Sequence, residues 1–257
     1  MTGIESSVSE GIQSIRLTRA AKKNALTAAM YAALTRALKD GDQRKDVAVH
    51  VLLGSGGVFS AGSDIGEFQA RAEGRADLTA PVMAFIRALP SVEKPLVAGV
   101  DGLATGIGTT MLLHCDLVYA TPSAQFRTPF LDLGLVPEAG SSLLAPRVMG
   151  HQRAFELLAL GEAFDAERAR EAGIVNRIVA SDDLEATVHR AAGRLAAKPP
   201  EALRLCRQLL RGDAADVRTR IEDEIAIFAE RLVSPEAREA FAAFLEKRVP
   251  DFGKGRG

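Results

Sequence analysis

The feature that most constrains this chain is a short apolar run that ends in a glycine turn and passes directly into an apolar helix. Leu96 to Val100 follows Lys94-Pro95 and has the length and content of a buried strand, and Asp101-Gly102 then turns the chain. Ala104-Thr105-Gly106-Ile107-Gly108 comes next and leads into Met111, Leu112 and Leu113. A helix that opens on glycines at a strand end presents unpaired N–H groups and the positive end of its dipole, and lets a ligand approach the backbone. A carbonyl oxygen gaining negative charge would be stabilised there. Alone, such a G-x-G more often marks a glycine packed tightly against a neighbouring strand.

A second turn of the same kind lies upstream. The apolar run Val47 to Leu53 leads through Gly54-Ser55-Gly56-Gly57 into Phe59-Ser60-Ala61-Gly62-Ser63-Asp64-Ile65. The FSAGSDI segment, the KPLVAGVDGLATGIG segment and the spacing between them resemble the enoyl-CoA hydratase/isomerase (crotonase) superfamily, over about Ile4 to Phe252. The resemblance implies an α/β fold, with a ββα spiral core over residues 1–198 that binds acyl-CoA. It also implies a C-terminal helical region over residues 199–257, through which similar proteins form a homotrimer or a dimer of trimers. By motif position, the backbone N–H groups of Ser63 and Ile107 would form an oxyanion hole for a thioester carbonyl. Lys22, Ala25 and Leu26 would lie along the CoA nucleotide, and Ala61, Gly62, Ser63, Asp64, Ile65, Gly106 and Phe130 would surround the substrate. Lys247 would reach the CoA phosphates. No cofactor beyond the CoA moiety of the substrate is implied, and no metal.

Composition narrows the class without identifying it. With 257 residues, 47% of them hydrophobic, the chain can bury a sizeable core. The N-terminus MTGIESSVSE has no basic segment leading into an apolar stretch, and no apolar run approaches a membrane span, so a cytoplasmic location without a membrane partner is expected. The net charge of −1, with no dense basic tract, argues against nucleic acid as a partner. Cys115 and Cys206 are far apart in apolar surroundings and read as buried free thiols.

In chain order, Ile4 to Ser7 and Ile12 to Leu17 flank Glu10-Gly11 as a hairpin, and Thr27 caps a helix running to Lys39. Gly66 to Leu78 reads as polar and irregular, with a helix from Thr79 or Ala80 to Leu89. Asp116 to Ala120 and Val175 to Val179 read as strands. Beyond Ser142 helices are expected at Arg153 to Leu160, Ala166 to Ala172 and Leu184 to Ala196; Lys198-Pro199-Pro200 marks a boundary. Three more helices follow, and the apolar stripe through Ile221, Ile225, Phe228, Phe241 and Phe244 exceeds what a small helical tail could bury by itself.

The acid–base groups separate the possible reactions. Hydration of a 2-enoyl thioester needs a water deprotonated and a proton delivered, and hydratases of the resembling family use two glutamates. Aligned through the motifs these fall on Thr110 and Phe130, neither of which can do that work. One carboxylate remains, Glu138 in Val136-Pro137-Glu138-Ala139-Gly140. Read without the resemblance it is a solvated residue before a helix N-terminus. The RTPFLDLGLVPEAGSS string, however, resembles peroxisomal-type delta-3,delta-2-enoyl-CoA isomerases, in which this glutamate is the single base. Asp132 is the reserve base. The expected activity is a C3-to-C2 shift of an enoyl-CoA double bond. The alternatives are 2-enoyl-CoA hydration, another reaction of the superfamily such as isomerisation of a ring-containing acyl-CoA, or a CoA-binding module without catalysis.

Overall fold

The hairpin expected around Glu10-Gly11 forms: β1 (Ile4–Ser9) pairs antiparallel with β2 (Ile12–Leu17). The computed structural model describes residues 2–72 and 79–255. Thr27 accepts a hydrogen bond from the Met30 N–H and caps α1 (Ala28–Gln43), whose Met30, Tyr31, Leu34 and Leu38 are buried at helical spacing. The chain then enters β3 (Val49–Leu53), where every residue is buried. Two-faced burial is what a continuous apolar run requires of a parallel strand.

The expectation of an irregular stretch after Ile65 is corrected in part, because α2 (Ile65–Ala72) is helical. Its start is held by Asp64, whose side chain accepts from the Gly66 N–H at 3.1 Å. The remainder of that expectation, residues 73–78, lies outside the described residues. α3 (Thr79–Ala88) follows, and then β4 (Leu96–Val100), again buried throughout.

The second glycine turn carries β5 (Leu103–Thr105) and α4 (Ile107–Thr110), followed by β6 (Leu117–Ala120) and β7 (Gln125–Arg127). The helix expected to start after Glu138 is α5 (Ser141–Met149), whose bounds the sequence does not mark, since Gly140 is a poor cap signal and Pro146 lies inside the helix. α6 (His151–Leu158), the short β8 (Phe164–Asp165), α7 (Ala166–Glu171), β9 (Arg177–Ile178) and α8 (Leu184–Ala196) complete the core. The main sheet runs β1-β2-β3-β4-β6-β9, parallel beyond the hairpin, and a small sheet runs β5-β7-β8. After β3, Ser60 bridges in parallel to Ala104 of β5, so β3, β4 and β6 are each followed by a short extended piece at the small sheet and then by a helix. That recurrence is the expected ββα spiral.

One face of the main sheet packs Val49, Val51, Leu53 and Val97 against Leu184, Val188 and Ala192 of α8. The other face carries the large core. His50 is buried, with Nδ1 2.8 Å from Gln13 Oε1 and Nε2 2.9 Å from Asp42 Oδ1, as expected of a packed core histidine. Asp116 accepts from the Leu96 N–H and from the nearly buried Arg207.

The tail comprises α9 (Pro200–Arg211), α10 (Ala214–Leu232) and α11 (Pro235–Glu246). Here the apolar-stripe reading is corrected. Ile221, Phe228 and Phe241 are buried in the same cluster as Ile15 and Leu96, because α10 and α11 fold back onto their own chain. Phe68 of α2 meets the rings of Phe228 and Phe241 at 6.2 and 6.3 Å. Phe244 stays exposed. Both cysteines are free, but Cys206 is exposed and not buried, since it sits on the outer side of α9. No described helix is long and apolar enough to cross a membrane.

Because Phe241 is fully buried in the shared core, Phe241→Ala should cost about 3–5 kcal/mol. Urea unfolding should remain a single transition with a lower midpoint; two separate transitions, one unaffected, would mean that the tail is an independent unit.

Candidate active site

The two glycine turns come together. Ala61, Gly62, Ser63 and Ile65 from the first and Thr105, Gly106 and Ile107 from the second line one cavity of about 670 Å³. Leu26 holds the first turn by donating its N–H to Gly62 O and accepting from the Asp64 N–H. Gly106 has φ +55° and ψ −122°, which a side chain would strain, and a Cβ there would project into open space. Gly62 has φ +88°, and a Cβ would come within 2.8 Å of Thr105 O. The close approach of the turns therefore requires glycine at 62, while glycine at 106 is required by its backbone conformation. The N–H groups of Ser63 and Ile107 donate to no described residue. Both residues line the cavity, and Ile107 opens α4.

Glu138 lines the same cavity, 7% exposed. Its neighbours there include Phe130, Leu135, Ile225 and Phe228. Thr110 Oγ1–H donates to Glu138 Oε1 at 2.5 Å. Burial pushes the Glu138 carboxyl up to about 8; the Thr110 hydrogen bond opposes the rise and the charge of Glu224 adds to it. Below the turn, His114 Nε2–H donates to Ala139 O at 2.7 Å. Burial lowers the His114 pKa to about 4, so the ring is neutral at physiological pH.

The remaining expected residues are distributed around this centre. Asp132 is an exposed part of the lining and pairs with Arg127 at 2.8 Å, so it lacks the desolvation that marks Glu138. Phe130 lines the cavity as expected. Leu26 is buried in the core, and its backbone holds the first turn. Asp64 is likewise engaged, by the α2 cap and by Arg19 at 2.7 Å. Ala25 accepts from Arg19 through its carbonyl. Lys22 and Lys247 are exposed and outside the cavity lining, although Arg248, beside Lys247, belongs to it.

Sequence reasoning does not reach three of the participants. Tyr31 is buried in α1, lines the cavity and places its hydroxyl 2.6 Å from Ser63 Oγ. Burial and the Glu138 charge hold its phenol protonated. Its only signal is a polar group on the apolar face of an amphipathic helix. Thr110 stands out in the sequence solely as the place of an absent glutamate, and Glu224 lies too far along the chain for any motif to connect it with the turn.

Residues 7–255 match the family model described as enoyl-CoA hydratase/isomerase. The chain belongs to the enoyl-CoA hydratase/isomerase family. It is 34% identical over 260 residues to 1,2-epoxyphenylacetyl-CoA isomerase of Escherichia coli K12, covering 98% of both chains. It is 33% identical to enoyl-CoA delta isomerase 2 of Rattus norvegicus, covering 93% of this chain and 62% of that protein. The crystal structure of an enoyl-CoA hydratase/isomerase from Pseudoalteromonas atlantica T6c superposes with a TM-score of 0.92 at 38% identity, over 98% of this chain and 100% of the other. Other relatives carry hydratase and dehalogenase names, so family membership establishes an acyl-CoA enzyme and leaves the reaction to the site.

The raised carboxyl makes a stability prediction for this site. Folded Glu138 holds its proton up to about pH 8, against about 4.5 when unfolded, so the group withdraws stability as pH rises through that window. Glu138→Gln removes the titration. Its thermal midpoint should gain on the wild type progressively between pH 5 and 8; a constant difference across that range would mean that Glu138 is not desolvated in solution.

Proposed function

We propose that the protein shifts a double bond from C3 to C2 of an enoyl-CoA, with Glu138 as the single base. The observation that carries this reading is that Glu138 is the one buried carboxylate among the described residues lining the cavity. Positions 110 and 130, where a hydratase would keep its two carboxylates, hold a threonine hydroxyl and a phenyl ring. The similarity to a delta isomerase supports the same choice.

The chemistry follows from the geometry. Glu138 as carboxylate removes a proton from C2; the C2–H electrons pass into a dienolate whose charge rests on the thioester oxygen. The free N–H groups of Ser63 and Ile107 are suited to accept that charge, since donors already fixed in the backbone need no reorganisation. Protonated Glu138 then returns the proton at C4, which completes the shift to the conjugated 2-enoyl thioester. Burial keeps the carboxyl from water, which raises its basicity and favours internal return of the proton. Isomerisation of a ring-containing acyl-CoA is the second reading, favoured by full-length similarity to the epoxyphenylacetyl-CoA enzyme and by the aromatic lining Phe68, Phe130 and Phe228.

The proposed assembly is a homotrimer or a dimer of trimers. It is supported by apolar surface that one chain leaves uncovered, notably Leu209 and Leu210 at 85% and 83% exposure. Light scattering at micromolar concentration should give a multiple of three chains; a stable monomer would refute it.

Incubation with 3-hexenoyl-CoA and, separately, crotonyl-CoA should yield the 2-enoyl isomer from the first and little hydration of the second. Glu138→Gln should lower kcat by roughly a hundred- to ten-thousand-fold, with CoA affinity unchanged. In the wild type, only roughly a tenth of Glu138 is ionised at pH 7, so kcat/KM should rise with pH, reach half its maximum near 8 and level off about one unit above that. An E138Q protein that isomerises at the wild-type rate would remove Glu138 from the mechanism, and a wild type inert towards both substrates would favour a binding module.

A further inference from the structure

Glu224 is a buried carboxylate that the proposed reaction does not use. It sits in the middle of α10, 5% exposed, and both of its oxygens are spent on the turn that carries Glu138. Oε2 accepts from the Gly140 N–H at 2.6 Å and Oε1 from the Ser142 N–H at 3.0 Å. The turn needs such a hold. Ala139 and Gly140 are consecutive left-handed residues, with φ +59° and +72°, and alanine adopts that region at a cost. The opposite side of the same peptide unit is held by His114 at Ala139 O.

We propose that Glu224 is a positioning residue, which by accepting from the Gly140 and Ser142 N–H groups holds the turn so that Glu138 meets Thr110 and the cavity. It couples the C-terminal helices to the base. The inference rests on the reading of Glu138 as the base.

The surrounding charges leave Glu224 in command of this turn. Arg87 of α3 and Arg147 of α5 are engaged by Glu222 and Asp216, and Arg231 of α10 is paired with Glu236 of α11. Burial raises the Glu224 pKa, and the hydrogen bonds from Ser142 and Gly140 and the charge of Arg220, which lies one turn before it and donates to Ser142 Oγ at 3.2 Å, oppose that rise. His114 is neutral, and the Tyr31 phenol is protonated. Glu224 in turn raises the Glu138 pKa by like charge.

The test uses the full chain with Glu224→Gln and Glu224→Asp. Its readouts are amide exchange at Gly140 and Ser142, the carboxyl titration of Glu138 by carbon NMR, and kcat and KM on 3-hexenoyl-CoA. Gln keeps the volume but loses the charge and one acceptor. It should speed exchange at both amides, move the Glu138 midpoint below that of the wild type, and lower kcat by about ten- to a hundred-fold with KM little changed. Asp, which keeps the charge one methylene short, should recover the midpoint and part of kcat. It carries the comparison should the Gln variant fail to fold. Wild-type midpoint and kcat in E224Q would overturn the proposal. So would a joint loss of kcat and thermal stability with KM raised and no recovery in E224D, which is the behaviour of a helix cap alone. If the wild type proves not to isomerise, exchange and titration still decide the role of Glu224, while the reading of Glu138 as base fails separately.

Discussion

Burial of one carboxylate is the constraint on which this site depends. A glutamate on an apolar wall would ordinarily be driven back to water, because the charged form loses its hydration. Here the turn that presents Glu138 is tied down on both sides, by His114 at Ala139 O and by Glu224 at the Gly140 and Ser142 N–H groups. The carboxyl therefore stays, and responds by holding its proton. Such a group is a weak acid and correspondingly a strong base, suited to taking a proton from carbon.

The same turn explains why the C-terminal helices belong to the core. α10 supplies Glu224 to the turn and Ile225 and Phe228 to the cavity wall, while α11 supplies Ala240 and Phe244. A tail that merely mediated assembly would have no need to enter the site. Its buried faces are satisfied within one chain, and apolar surface stays exposed elsewhere, on α9 among other places.

The two glycine turns are legible in the sequence because their chemistry is local. A strand run, a glycine that tolerates positive φ and a helix start within a few residues define backbone donors whatever surrounds them, and FSAGSDI and ATGIG lie within such units. The fold then pairs them, with Ser60 bridged to Ala104 and Gly62 pressed against Thr105 O. By contrast the bounds of α5 are not legible, since its N-terminus is capped from 82 residues away by Glu224 and not by a neighbour in sequence.

The sequence by itself determined the alternation of apolar runs and glycine turns, which follows from residue identity and short-range geometry, and its resemblance to the family singled out Ser63 and Ile107 as backbone donors and positions 110 and 130 as lacking the hydratase carboxylates. Only the tertiary structure decided that Glu138 is buried and Asp132 is not, that Tyr31 and Thr110 share the site with them, and that Phe228 and Phe241 find cover on their own chain. The reason is that desolvation, unlike φ or helix capping, is set by what the rest of the chain packs against a residue, and two carboxylates six positions apart can differ wholly in it.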